Sequence, residues 1–139
     1  SEGLIILTDD GRITERLLHP RFIHEKEYEV TVQESILPGI EEKLCAGVES
    51  DGDFLRAKRV KRIGRSRLAV VLTEGKKHQV RRMLSALHFT VKQLCRIRIA
   101  TIQLHDLAPG ETRMLAALEL ATFLQDLGLP VPMTSRPTS

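Results

Sequence analysis

Two rhythms of apolar and polar positions run along the chain, and each predicts a different kind of element. The run Leu4-Ile5-Ile6-Leu7, closed by the turn residues Asp9-Asp10-Gly11, predicts a buried strand over 3–8. A short helix is expected over 13–18, stopped by Pro20. From Glu25 to Val32 the chain alternates, with Tyr28, Val30 and Val32 on one side and Glu27, Glu29 and Thr31 on the other, which is the signature of a half-buried strand. Pro38-Gly39 opens a short helix reaching Ala46, and 50–53 form a turn. Phe54 to Lys61 and Arg67 to Thr73 are expected as two further strands of a hairpin joined through Gly64.

The helical rhythm is clearest over 77–87. Val80, Met83, Leu84 and Leu87 recur at the spacing of a buried stripe, while His78, Arg81, Arg82 and Ser85 repeat it half a turn away. One side of this helix packs and the other is cationic. Over 90–104 a strand is expected with Leu94, Arg96 and Arg98 on one face and Cys95, Ile97 and Ile99 on the other. A last amphipathic helix over 115–127 carries Ala117, Leu120, Ala121 and Leu124 on its stripe and Phe123 on its flank, and ends at Gly128 and Pro130. The Pro/Ser/Thr-rich stretch 131–139 is expected as a loose tail. Helices and strands interleave around one sheet, so the fold class is mixed α and β, in one domain over 1–130.

Charge changes the picture more than composition does. The net charge is only +3, yet 54–105 holds 14 Lys and Arg against the single acid Glu74, while the rest of the chain holds 7 against 17 acids. A basic block inside an otherwise acidic chain is the footprint expected for a phosphate-rich partner. No apolar run approaches the roughly 20 residues of a membrane-spanning helix. Cys45 and Cys95 have no CxxC or zinc-type spacing, which predicts reduced thiols in a cytoplasmic protein and no structural metal. Neither GxxxxGK[ST] nor GxGxxG occurs, so a nucleotide cofactor is not expected, and GxSxG and HExxH are absent too. His19, His24, His88 and His105 form no cluster in the sequence.

Several segments in order resemble the RsuA-type pseudouridine synthases of ribosomal RNA. They are Glu2-Gly3-Leu4 through Thr8-Asp9-Asp10-Gly11, then Glu25-Lys26-Glu27-Tyr28, then the stretch from Glu74-Gly75 to Gln79-Val80-Arg81-Arg82-Met83, then Leu94-Cys95-Arg96-Ile97-Arg98-Ile99. The Pro109-Gly110-Glu111 turn fits as well. The resemblance implies an α+β fold with a mainly antiparallel sheet flanked by helices. It also implies an isomerase that detaches uracil from ribose and rejoins it through carbon 5, with no metal or organic cofactor, on a specific uridine of ribosomal RNA. Tyr28 matches the tyrosine that stacks on the target base, and Arg81 the basic partner of the family's nucleophilic aspartate, with Arg82 the competing candidate on the same helical face. Leu94 matches an apolar pocket residue. Lys76, Lys77, His78, Arg82, Arg96 and Arg98 are the expected RNA-binding side chains, serving phosphates that position the substrate.

The aspartate itself is missing. It belongs to a GRLDxx[ST]xGL motif whose end aligns with Ser1-Glu2-Gly3-Leu4, which sets it three residues before Ser1. Asp9 and Asp10 do not match it. Either the native protein extends further upstream, which the absence of an initiating Met favours, or the chain is a shortened relative. The alternatives to catalysis are a non-catalytic RNA-binding module and, less well matched to the basic block, a domain that binds an acidic protein partner.

Overall fold

The structure, a computed structural model, describes residues 2–19 and 21–131. The elements run β1 (Glu2–Gly3), α1 (Gly11–Leu18), β2 (Lys26–Val32), α2 (Ile40–Ala46), β3 (Val48–Ser50), β4 (Asp53–Leu55), β5 (Arg59–Gly64), β6 (Arg67–Leu72), α3 (Gln79–Ala86), β7 (Val91–Ile99), β8 (Ile102–Gln103) and α4 (Ala117–Asp126). Five strands form one sheet in the order β1-β7-β2-β6-β5, with β8 folded back on β7. Only β1 and β7 are parallel, so the sheet is mainly antiparallel and the fold α+β. No helix among the described residues is long and apolar enough to cross a membrane. The expected tail lies, apart from Val131, outside the described residues.

Local chemistry accounts for most boundaries. The Asp9-Asp10-Gly11 turn doubles as a helix start: the Asp10 carboxylate accepts the Arg12 N–H at 2.9 Å and pairs with the Arg12 guanidinium. The alternation from Tyr28 to Val32 places Val30 and Val32 in the core, where they pack with Leu68, Val70 and Leu72 of β6 and with Val80, Met83 and Leu84 of α3. Burying a side chain such as Leu68 or Met83 contributes about 1.5–3 kcal/mol, so this seam fixes which way α3 faces. A second core joins α1 and α4 to the end of β7 through Ile13, Ile99, Ile102, Phe123 and Leu124.

Four local expectations are corrected. The apolar run after Gly3 is not a buried strand: β1 stops at Gly3, Leu4 is buried, and Ile5 and Leu7 are exposed. Phe54 to Lys61 is two strands, because β4 turns back onto β3 through 50–53 as a separate small sheet before β5 begins. On α4 the register rotates, so that Phe123 is buried with Leu124 and Ala117 is exposed. The β7 arginines do not share a face. Tyr28 pairs with Arg96, but the adjacent Glu27 pairs with Arg98, so Ile97 is an extra residue in a β-bulge and the alternation inverts beyond it.

Candidate active site

A cleft of about 170 Å3 opens on the face of the sheet that carries Tyr28. Strand geometry supplies one wall. Lys26 and Tyr28 are two residues apart on β2 and point the same way, and Arg96 and Leu94 lie across from Tyr28 and Val30 on β7. Leu72 on β6 pairs with Lys26. The opposite wall is the loop 75–78 and the first turn of α3, which bring Lys76, His78, Val80 and Arg81 to the same space. Tyr28 and Arg81, far apart in sequence, therefore face one concavity, with Leu72, Val80 and Leu94 as its apolar lining.

Among the described residues four cations line the cleft, Lys26, Lys76, Arg81 and Arg96, and no carboxylate does. Burial, and then the nearby Arg96 guanidinium, push the Lys26 ammonium below the usual lysine value. Its Nζ lies 3.1 Å from where a Cβ on residue 75 would stand, so Gly75 keeps the room the ammonium occupies. Arg96 donates from Nε to the Leu4 carbonyl at 2.8 Å, and the Leu4 N–H returns a bond of 2.8 Å to the Arg96 carbonyl. This ties the chain beside β1 to the cleft wall. Gly3, at φ +111°, is required there, because a Cβ would collide with the Arg96 backbone.

The loop leading into α3 is held by a side chain that the helical pattern did not single out. Gln79 is 3% exposed, and its amide donates to Glu74 Oε1 at 2.7 Å and to the Arg56 carbonyl at 3.1 Å, while its oxygen accepts the Lys76 N–H at 3.2 Å. A buried amide bonded this fully is a structural fixture, and it aims the loop's cations. His78 precedes the helix in the left-handed region, φ 54°, with no side chain capping the helix start.

Three expected binding residues are not brought to the cleft. Arg82 turns aside and donates to Asp53 Oδ2 at 2.8 Å and to the Ser50 carbonyl at 2.7 Å, pinning the β3–β4 hairpin to α3. Arg82, with Lys76 adding to it, holds the Asp53 carboxyl below the usual range. Arg98, displaced by the bulge, bonds Glu27 at 3.0 Å, Glu25 at 2.9 Å and the Ala100 carbonyl at 2.8 Å. Lys77 is exposed and does not line the cleft. In return, the structure adds Lys26, one strand repeat before Tyr28, which was not singled out in the sequence.

The profile of the RNA pseudouridylate synthase family matches residues 1–86. The chain belongs to that family. An uncharacterised RNA pseudouridine synthase of Aquifex aeolicus is 35% identical over 133 residues, which cover 93% of this chain and 53% of that protein. The ribosomal small subunit pseudouridine synthase A of Escherichia coli K12 is 36% identical over 125 residues, 88% of this chain and 54% of the relative. A solved structure described as a pseudouridylate synthase superposes with a TM-score of 0.81 at 30% identity, covering 87% of this chain and 54% of that one. The chain thus spans about half the length of these family members, and both cleft walls described above fall within the shared half.

Proposed function

We propose that this chain carries the uridine-binding half of a cytoplasmic pseudouridine synthase acting on ribosomal RNA. The observation that carries the proposal is the meeting of Tyr28 and Arg81 in one cation-rich cleft that no carboxylate lines among the described residues. A volume of about 170 Å3 is well below a drug-sized pocket and suits a single planar base. Such a base must first leave its stack, at a cost of a few kcal/mol. The Tyr28 ring offers it a face, and the apolar lining of Leu72, Val80 and Leu94 offsets part of that cost.

The reaction breaks the bond between N1 of uracil and C1′ of ribose, turns the base, and forms a bond from C5 to C1′ with loss of the C5 proton. An aspartate carboxylate assists cleavage of the N1–C1′ bond and is regenerated when C5 bonds to C1′. The family motif sets that aspartate three residues before Ser1. β1 lies against β7 with Gly3 paired to Arg96, and five residues of chain reach at most about 17 Å, so an aspartate at that motif position has the reach to meet the cleft cations. Arg81 is suited to keep that carboxylate ionised and oriented, and Lys76 and Arg96 to hold flanking phosphates. Tyr28 is suited to relay the C5 proton, its phenolic oxygen taking it up as its own hydroxyl proton passes to solvent; N1 of the detached base gains a proton for the one C5 loses, so the isomerisation is neutral overall.

The test is tritium release from RNA labelled at uridine C5, using the protein with its upstream motif in place. Release that tracks conversion to pseudouridine is expected. Tight RNA binding with no release would instead assign the chain to a non-catalytic RNA-binding module.

A further inference from the structure

A second concavity, an open groove of about 510 Å3, lies beside the cleft. The two share a wall, since Glu74 lines the groove and Gly75 the cleft. Ile23 stands at the groove 72% exposed, so it offers an apolar surface there. Arg56 also lines it, with its guanidinium 5.2 Å above the centroid of the Phe54 ring. That ring is seated in turn against Gly47, where a Cβ would collide with it.

Arg56 makes no ion pair among the described residues. Its backbone is fixed at both ends, its N–H donating to Glu74 Oε1 at 3.0 Å and its carbonyl accepting from Gln79. Its guanidinium thus sits over an aromatic ring, 5.2 Å from the centroid, without being spent on a carboxylate among the described residues. Glu74, the one acid lining the groove, has an oxygen engaged by both Arg56 and Gln79. Next to Ile23, the Phe22 ring carries Arg16 and Arg21 with guanidinium carbons 4.4 and 4.8 Å from its centroid.

We propose that this groove is a stacking subsite for a nucleotide next to the target uridine in the RNA strand; this rests on reading the cleft as a uridine site. Splayed bases of single-stranded RNA stack on aromatic rings and guanidinium planes. A guanidinium already held over a ring by a cation–π contact loses less freedom when a base stacks on it, and Ile23 supplies an apolar surface for that base. The surrounding positive charge favours the phosphodiester that links the two sites.

The experiment measures binding of labelled pentauridylate to the chain by fluorescence anisotropy, with the fold of each variant checked by circular dichroism. Arg56→Ala and Ile23→Ser are each expected to weaken binding at least about fivefold, the low end for one stacked base. Arg56→Lys, which keeps the charge but loses the plane, is expected to recover little of that loss, and Lys61→Ala, a lysine outside both concavities, to change affinity less than about twofold. Full affinity in Arg56→Lys, or an equal loss in Lys61→Ala, would reduce the groove to general electrostatics and overturn the subsite. Binding lost in Tyr28→Ala but intact in Arg56→Ala and Ile23→Ser overturns the subsite alone. A wild-type chain that does not bind pentauridylate contradicts the cleft reading and the subsite with it.

Discussion

Lys26 is the side chain in the cleft whose placement works against folding. Its ammonium is partly withdrawn from water beside another cation, and both effects lower its pKa from the usual 10.5. The folded state therefore binds the proton less readily than the unfolded chain, and this contribution to stability improves as pH rises through the window just below 10.5. If the cleft holds a phosphate, Lys26 gives up stability in return for that charge. Lys26→Met is expected to leave the melting temperature unchanged or raise it by up to about 3 °C while weakening RNA binding by about tenfold. A melting temperature lowered with RNA affinity intact would show that the lysine is structural. Lys26 was not singled out in the sequence, although it precedes Tyr28 by one strand repeat and extending the alternation by one step puts it on the same face. Arg81 and Arg82 were not separable by period, because adjacent positions on α3 share the cationic face. Asp53, apparently no more than a turn residue, captures one of them.

At the scale of elements, the bulge in β7 divides the cleft wall from a salt-bridged edge. Arg96, before Ile97, faces the cleft, and Arg98, after it, joins Arg59 and Lys58 around Glu25. A bulge is set by the register with β2 and not by the residues of β7 alone, which is why alternation along Leu94 to Ile99 predicted three residues on one face. The alternation in β2, whose core side meets β6 and α3 directly, carried over unchanged. The Arg59 guanidinium, then Lys58 and Arg98, hold the Glu25 carboxyl at about 2, below the usual 4.5. A carboxylate with a lowered folded pKa stabilises the protein above its unfolded pKa, and that stabilisation is lost as pH falls from about 4.5 through about 2. Glu25→Gln is expected to cost about 1–2 kcal/mol in urea unfolding at pH 7, with solvent exposure of the network limiting the effect. The difference from wild type should narrow steadily below pH 4.5. A gap independent of pH would mean that the charge of Glu25 is not what joins β2 to β5 and β7.

Across the whole molecule, the arginines of the basic block foretold by the charge count include two contrasting groups. Arg59, Arg67, Arg82 and Arg98 are neutralised by carboxylates within the fold, whereas Arg81 and Arg96 line the cleft and Arg56 the neighbouring groove, with no such partner. Sequence counts alone cannot make this division, because it depends on which acids the topology brings near. Neutralising about three phosphates on a single strand predicts that log K falls by about 2 for each tenfold rise in salt. A flat response would show that the unpaired cations do not meet RNA. The cleft brings Tyr28 and Arg81 to one concavity and leaves Arg82 to the scaffold. This division of roles is tested most directly by single-turnover conversion of uridine in RNA by Arg81→Ala and Arg82→Ala, assayed side by side with the upstream aspartate present. The account predicts a rate loss of at least about 100-fold for Arg81→Ala and less than about threefold for Arg82→Ala at a temperature where both are folded. Comparable rates for Arg81→Ala and wild type, with a collapse for Arg82→Ala, would contradict it.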